Sequence, residues 1–368
     1  MKIYIIQLVL IWINYFLCFR TSFGKNKNRK KIFLFLTLSN MFLVLGLRSN
    51  NVGEDTGHYV TIFRETVNIG WHEVFTKLRI TWRVDGGFQD KIENGFVLIA
   101  KTVHLFTDNP QIFLLVVAGL TMFFFGKFIY DNSNSVFLST YVLLCECIYM
   151  SSFNAARQIL AVAIGINAYT FLKSKKVKTA IVIIILAGMI HSSAIVYFLL
   201  FLIDGIKAKT SIINKRRFKY ILFVSALIPC SLPIVEFIFS HTIPRYTAYF
   251  VNNYWTVDIG GTMIIWALEL FMVMMLYNYH FEQENSFEVS AYVIIYLVLE
   301  MISFKISVFG RLAWYYRGFL IAFFPIALDG FREKRTKQLF GIVLILLLTM
   351  AFISYARADT RIYSFLLN

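Results

Sequence analysis

Apolar runs alternate with short polar breaks along almost the whole chain, and the length of those runs is the first informative quantity. A helix that crosses a bilayer needs about 20 apolar residues, with a range of roughly 17–25. Runs of that kind occupy 3–19, 32–47, 111–130, 135–152, 155–172, 220–240, 261–279, 288–304, 310–328 and 338–355. Two stretches fit less cleanly. Residues 91–107 are interrupted by Lys91, Glu93, Lys101 and His104, and 179–203 is one unbroken run that contains His191. The first run, Ile3–Phe19, has only Lys2 ahead of it and lacks a small-residue cleavage site. It reads as a retained helix and not as a signal peptide.

The polar breaks carry the topology. Four are rich in Lys and Arg: Arg20–Lys31, Lys173–Lys178, Lys207–Lys219 and Arg332–Lys337. The positive-inside rule puts all four in the cytoplasm, so each consecutive pair must be separated by an even number of crossings. Between Lys31 and Lys173 the candidates are 32–47, 91–107, 111–130, 135–152 and 155–172, an odd number. The weakest, 91–107, is therefore expected to be a re-entrant or surface helix. Between Lys178 and Lys207 parity requires two shorter helices meeting at His191-Ser192-Ser193. At ~1.5 Å per residue, 176–190 spans only about 22 Å, so snorkelling Lys stems and local thinning must supply the rest. The expected architecture is an all-α polytopic membrane protein with a single membrane domain over 1–368. It has about twelve transmembrane helices plus a partial helix, by parity over spans of ordinary length, and both termini outside.

Composition agrees with this reading. Apolar residues make up 58% of the chain and charged residues 15%, against roughly 25% charged in a soluble domain. A soluble chain could not hide the 38 Phe and 20 Tyr. The net charge of +15 sits in loop clusters, which marks membrane topology and argues against a nucleic-acid partner. Cys18, Cys145, Cys147 and Cys230 all lie inside apolar runs with no C-x-x-C pair, so neither a disulfide framework nor a zinc site is expected.

The basic residues partition unevenly. The four inner clusters hold 14 Lys and 6 Arg, and the rest of the chain holds 6 Lys and 10 Arg. Lys suffices as a topology marker, whereas the planar guanidinium grips phosphate or carboxylate. Function is thus expected on the outer side. The longest outer segment is the loop 48–95, opening with Arg48…Asp55-Thr56…Tyr59. In it, Phe63, Val67, Trp71, Val74, Phe75 and Leu78 recur at spacings of three and four, which predicts an amphipathic surface helix over 62–78 with Trp71 at headgroup depth. The plain alternative is an outer loop with no further role.

Three more clusters stand out. Asn154-Ala-Ala-Arg157-Gln158 opens an apolar helix, where an Arg commonly just snorkels. His191 lies between apolar runs, where a lone His commonly packs helices. Gly310-Arg311…Tyr316-Arg317 places Arg317 about two turns inside its run, and an ionisable group at such depth is a functional candidate. Glu146, Glu269 and Glu300 are intramembrane carboxylates able to pair with it. Arg357 and Arg361 follow the last run on the same side. The chain lacks a phosphate-binding G-x-x-x-x-G-K-[ST] loop, a dinucleotide fingerprint, D-x-D, H-E-x-x-H and G-x-S-x-G. Any chemistry must use Arg, His, Tyr and single carboxylates, with no cofactor and no metal expected.

The order of these motifs resembles the EpsG family of Wzy-type polysaccharide polymerases. The matching pieces are Arg48…Val52-Gly53-Glu-Asp55-Thr56…Tyr59, then Asn154…Arg157-Gln158, the Lys-rich 173–178 followed by His191-Ser-Ser-Ala, and Gly310-Arg311…Tyr315-Tyr316. The resemblance implies a GT-C-like or Wzy-like bundle with a large outer loop. It implies an enzyme of the bacterial cytoplasmic membrane, its site facing the periplasm or exterior. Such an enzyme polymerises repeat units carried on undecaprenyl diphosphate, passing the growing chain to the non-reducing end of an incoming unit. Arg157, Arg311 and Arg317 are the expected diphosphate ligands, with Arg48 and Arg357 behind them. His191 or Asp55 is the expected base, and Tyr59, Tyr316 and Gln158 the expected sugar contacts. Membrane lipid, a chain-length regulator and a flippase of the same pathway are the implied partners. A lipid-linked oligosaccharide flippase and another lipid-donor transferase, such as a glycan ligase, are the rival readings. Against the flippase, the two halves show no internal repeat of the kind many transporters carry.

Overall fold

Almost every apolar run becomes helix, but several runs become two. The computed structural model describes residues 2–21, 28–83, 89–207, 211–230, 237, 259–279, 286–304, 306–358 and 363–364. The described helices, in chain order, are α1 Lys2–Arg20, α2 Arg29–Gly46, α3 Thr56–Glu65, α4 Trp71–Thr76, α5 Asn94–His104 and α6 Pro110–Asn132. They continue as α7 Val136–Cys145, α8 Ile148–Asn154, α9 Ala156–Gly165, α10 Ala168–Lys173, α11 Val177–Ile190 and α12 Leu199–Ile206. The last six are α13 Ser211–Cys230, α14 Ile259–Tyr279, α15 Ser286–Ser303, α16 Val308–Arg317, α17 Leu320–Asp329 and α18 Lys334–Ala358. Among the described residues the only sheet is a hairpin, β1 Arg79–Arg83 against β2 Gln89–Glu93, antiparallel with Arg79 opposite Glu93. Among the described residues the chain is an all-α membrane protein apart from this hairpin.

Among the described residues four helices are long and apolar enough to cross a membrane: Lys2–Arg20, Pro110–Asn132, Ser286–Ser303 and Lys334–Arg357. The pair α7 and α8, bent by 44°, makes a fifth if counted as one span. Of the other expected runs, 32–47 and 261–279 each form one helix, α2 and α14, and several divide. Cys147, at φ 56°, separates α7 from α8. The run 155–172 breaks between Gly165 and Ala168, and 310–328 breaks between Arg317 and Leu320. The run 179–203 breaks at His191, whose φ of −152° and ψ of 116° are extended. Hydropathy counts apolar side chains and is blind to where the backbone turns. Part of the expected span 220–240 lies outside the described residues.

The chain forms two compact units: Met1–Asn132 with Leu143–Tyr197 and Phe352–Asn368, and Ser133–Val142 with Phe198–Ala351. In the first unit α6 packs on α2 and α9, and α11 packs on α9, α10 and α5. Helix α1 is turned inside out relative to a soluble helix. It buries Gln7 and Asn14 against α2, where Gln7 Nε2 donates to Asn40 O (3.2 Å) and Asn14 Nδ2 to Thr37 Oγ1 (3.2 Å). Its Ile6, Val9, Ile13 and Phe16 are exposed, Phe16 by 60%. That pattern fits apolar solvent, in which interhelical polar pairs take over the role of glue. Between the loop and α5, the stretch 62–78 divides into the end of α3, a short 3-10 turn Thr66–Asn68 and α4. Trp71, Phe75 and Leu78 are exposed there, while Val74 and Phe63 are buried. Most of α5 is buried, with Phe96 and Ala100 wholly inside. At Gly95 any Cβ would meet the Met189 backbone at 2.7–2.8 Å, so a side chain there would push α5 off α11.

In the second unit α15 is the hub, packing on α16, α13, α14, α17 and α12. Lys207 Nζ reaches Glu288 Oε1 at 2.5 Å on this helix.

Candidate functional site

The first unit gathers most of the motifs singled out in the sequence. Arg48, just beyond α2, is 1% exposed. Its Nη1 donates to Leu45 O (2.6 Å), a carbonyl of the last α2 turn, and its Nε to Thr56 Oγ1 (3.3 Å) at the start of α3. Its guanidinium lies 5.7 Å from the Phe153 ring centroid. Burial lowers its pKa to about 10, so it keeps its charge at neutral pH. Its Nη2 is buried with no hydrogen-bond partner among the described residues. Arg48 thus stitches α2, α3 and α8 together from inside, a position unlike that of an open ligand-binding arginine.

The next residues extend the same chain of contacts. The Glu54 N–H donates to Asn154 Oδ1 (3.2 Å), and the Tyr59 hydroxyl lies 3.3 Å from both Asp55 Oδ2 and Asn154 O. Burial, then the nearby Asp55 charge, pushes the Tyr59 phenol well above its ordinary value, so it remains a neutral donor. Asp55 is exposed, Tyr59 is buried, and Gln158 is buried one residue beyond Arg157. The tail closes over this group: Ser49 N–H donates to Ser364 O (2.9 Å), the two hydroxyls meet at 2.6 Å, and Tyr363 donates to Val44 O (2.6 Å).

Arg157, at the head of α9, meets a residue that hydropathy marked only as an interruption. Its Nη1 donates to Glu93 Oε2 at 3.0 Å. Glu93 Oε1 accepts the Ser192 N–H at 2.9 Å and lies 3.6 Å from Arg79 Nη2. Arg79 Nη2 in turn donates to Ser192 Oγ (2.5 Å). Burial alone would raise the Glu93 pKa. The Ser192 N–H and the Arg157 charge outweigh it and hold the carboxylate below the ordinary glutamate range. The helix break places His191 beside this group, its Nδ1 sharing a 2.7 Å hydrogen bond with the Ser193 hydroxyl. Arg157 and His191, far apart in sequence, are thereby linked through Glu93 and Ser192.

Glu93, Arg79 and Ser192 are what sequence reasoning missed. A signal existed: Arg79 belongs to the outer arginine excess, and Glu93 is an acidic residue opening an otherwise apolar helix. Only strand pairing, with Arg79 opposite Glu93, joins the two.

The remaining candidates lie elsewhere. Arg311 is exposed near the start of α16. Arg317, at its end, lies 3.8 Å from Glu300 Oε1 and 5.8 Å from the Tyr296 ring centroid. Glu300 is one of the three carboxylates considered as its partner. Tyr316 is wholly buried, near Tyr292 and stacked on Phe319. All of these belong to the second unit. Arg357 is exposed in the last turn of α18. Among the described residues no group of three or more His, Cys, Asp or Glu is placed to hold a metal ion.

Apolar helices, four of them long enough to cross a membrane, around a guanidinium–carboxylate cluster define a polytopic membrane protein. The chain belongs to the EpsG family, which it matches over residues 30–367, and EpsG-type proteins are Wzy-like polysaccharide polymerases. No curated protein and no solved structure matches it.

Proposed function

We propose that this protein polymerises oligosaccharide repeat units carried on undecaprenyl diphosphate, at the outer face of a bacterial cytoplasmic membrane, with about twelve crossings where spans have ordinary length. The supporting observation is the meeting of Arg157, Glu93 and Ser192 at the helix break beside His191. In the reaction, the bond between the growing glycan's terminal anomeric carbon and the diphosphate oxygen breaks. An acceptor hydroxyl of the incoming unit forms the new bond and gives up its proton, and lipid diphosphate leaves. Negative charge grows on the leaving group, and fixed guanidinium groups in a partly dry site stabilise it without needing a metal.

In this reading Arg157 holds the diphosphate. Of its five N–H donors, Glu93 occupies one, and the side chain is 21% exposed. His191 is the favoured base and Asp55 the second candidate, since each carries an acceptor and neither is wholly buried. For Arg311 of the second unit the assignment rests on residue chemistry alone, an exposed guanidinium near the head of its helix. Membrane lipid surrounds the apolar faces, and a chain-length regulator and flippase are the expected pathway partners.

The test is reconstitution with a lipid-diphosphate repeat unit, without nucleotide sugar or metal, products being resolved on a gel. A ladder with repeat-unit spacing is expected from the wild type, and none from Arg157→Ala. Arg157→Lys should fail as well, because a point charge lacks the fork. Movement of labelled lipid across vesicles without lengthening would indicate a flippase. Glycan appearing on a different acceptor lipid would indicate a ligase.

A further inference from the structure

Glu93 offers two carboxylate oxygens to donors from three separate elements. One oxygen takes Arg157 from α9 at 3.0 Å, and the other takes the Ser192 N–H from the helix break at 2.9 Å with Arg79 of β1 at 3.6 Å. The carboxylate side chain is 7% exposed, whereas Arg157 is 21% and Arg79 50% exposed. Two guanidinium groups against one carboxylate leave the cluster with a net positive charge. Among the described residues, Glu93 and Ser192 are the only hydrogen-bond partners that these two guanidinium groups find. The arrangement is that of an anion cradle with a buried carboxylate as its keystone.

The carboxylate is a poor candidate for the base itself. Its two oxygens already accept the donors that hold it in the charged form, and a weakly basic carboxylate is badly matched to a sugar hydroxyl. Its geometry fits a different task. We infer that Glu93 is the positioning residue of the site, fixing Arg157, Arg79 and the Ser192 end of the break as one cradle for a diphosphate, with Arg79 as a second ligand. This rests on the lipid-diphosphate reading given above and adds two residues to it.

The chemistry sets up a test with opposite signs. If Glu93 acted only through its charge, neutralising it would strengthen anion binding, since a competing negative charge would be gone. If it positions, Glu93→Gln must weaken binding. A glutamine has one acceptor oxygen and one NH2, so whichever way it sits a donor faces Arg157 or the Ser192 N–H.

The probe is inorganic diphosphate, titrated calorimetrically against the purified full chain in detergent at constant ionic strength. Unliganded Tm is recorded for every variant. Binding to the wild type is expected, weakened about tenfold by Glu93→Gln and by Arg79→Ala, the loss of one charge-assisted contact. Glu93→Asp, which keeps both oxygens, should recover most of it. Equal or tighter binding by Glu93→Gln overturns the positioning role, and unchanged binding by Arg79→Ala overturns the second ligand. No diphosphate binding by the wild type overturns the cradle. If Glu93→Gln loses its folded Tm, Arg79→Ala still tests the second ligand and Glu93→Asp the positioning role, which Glu93→Asp binding as weak as that of Arg79→Ala would overturn. The polymerase reading fails separately, by the absence of a ladder from protein that binds diphosphate.

Discussion

Gly53 carries a requirement that no other residue type can meet. Its φ is +94°, and a Cβ there would lie 1.9 Å from the Phe153 carbonyl oxygen. The loop between α2 and α3 can pass over α8 only because that atom is missing. The positive φ alone costs a residue with a side chain about 1–3 kcal/mol, before the clash is relieved. Gly53→Ala should therefore lower the Tm of the purified protein markedly and abolish polymer formation; a normal Tm with full activity would contradict this geometry. Glu93 supplies a prediction with a defined sign. Its folded pKa lies below the ordinary value of about 4.3, so it binds its proton less readily folded than unfolded. Its contribution to stability is complete above that ordinary value and is lost as pH falls through the lower, folded one. A Tm–pH curve should fall on acidification in the wild type, and Glu93→Gln should flatten that fall.

At the scale of elements, α15 and α16 pose the sharpest case. Arg317 sits beside Glu300 at 3.8 Å, with the two side chains 24% and 16% exposed. Glu300→Ala leaves the cation without this anion and should cost about 1–3 kcal/mol, discounted for the exposure that remains. Adding Arg317→Met should recover part of that loss, since removing both partners is gentler than removing one. A double-mutant cycle on thermal unfolding reads this directly. Apolar runs made the helices around this pair legible in the sequence, and Arg317 was visible as a charge inside such a run. That Glu300 lies beside it was not, because Glu146, Glu269 and Glu300 all satisfied the pattern and only packing brings Glu300 to 3.8 Å. The same holds in the first unit. The break at His191 followed from charge parity, and Arg157 stood out at a helix head. The hairpin that brings Arg79 to Glu93 left little trace in hydropathy, since short strands in a polar loop bury too little to impose a period. The 62–78 stretch shows the converse: the spacing of its apolar residues is helical, and the backbone divides it all the same at Thr66–Asn68.

For the whole molecule, lipid replaces water as the solvent that sorts inside from outside. The exposed apolar faces of α1 and α18, with Phe16, Leu339, Ile342 and Met350, would be aggregation surfaces in water and are ordinary contacts in acyl chains. Buried polar pairs such as Asn14 with Thr37 occupy the positions a soluble protein would give to leucine. The tail adds a practical property. Ser364 is bonded to Ser49 through both backbone and side chain. A reporter enzyme fused directly behind Ser364 must therefore lie on the same side of the bilayer as the Arg48–Asp55 loop. With the proposed outward orientation, an export-dependent phosphatase placed there should be active and a fluorescent protein that matures only in the cytoplasm should stay dark. The opposite pair of signals would put the Arg48–Asp55 loop in the cytoplasm, so the Ser49–Ser364 bond serves as a built-in compass.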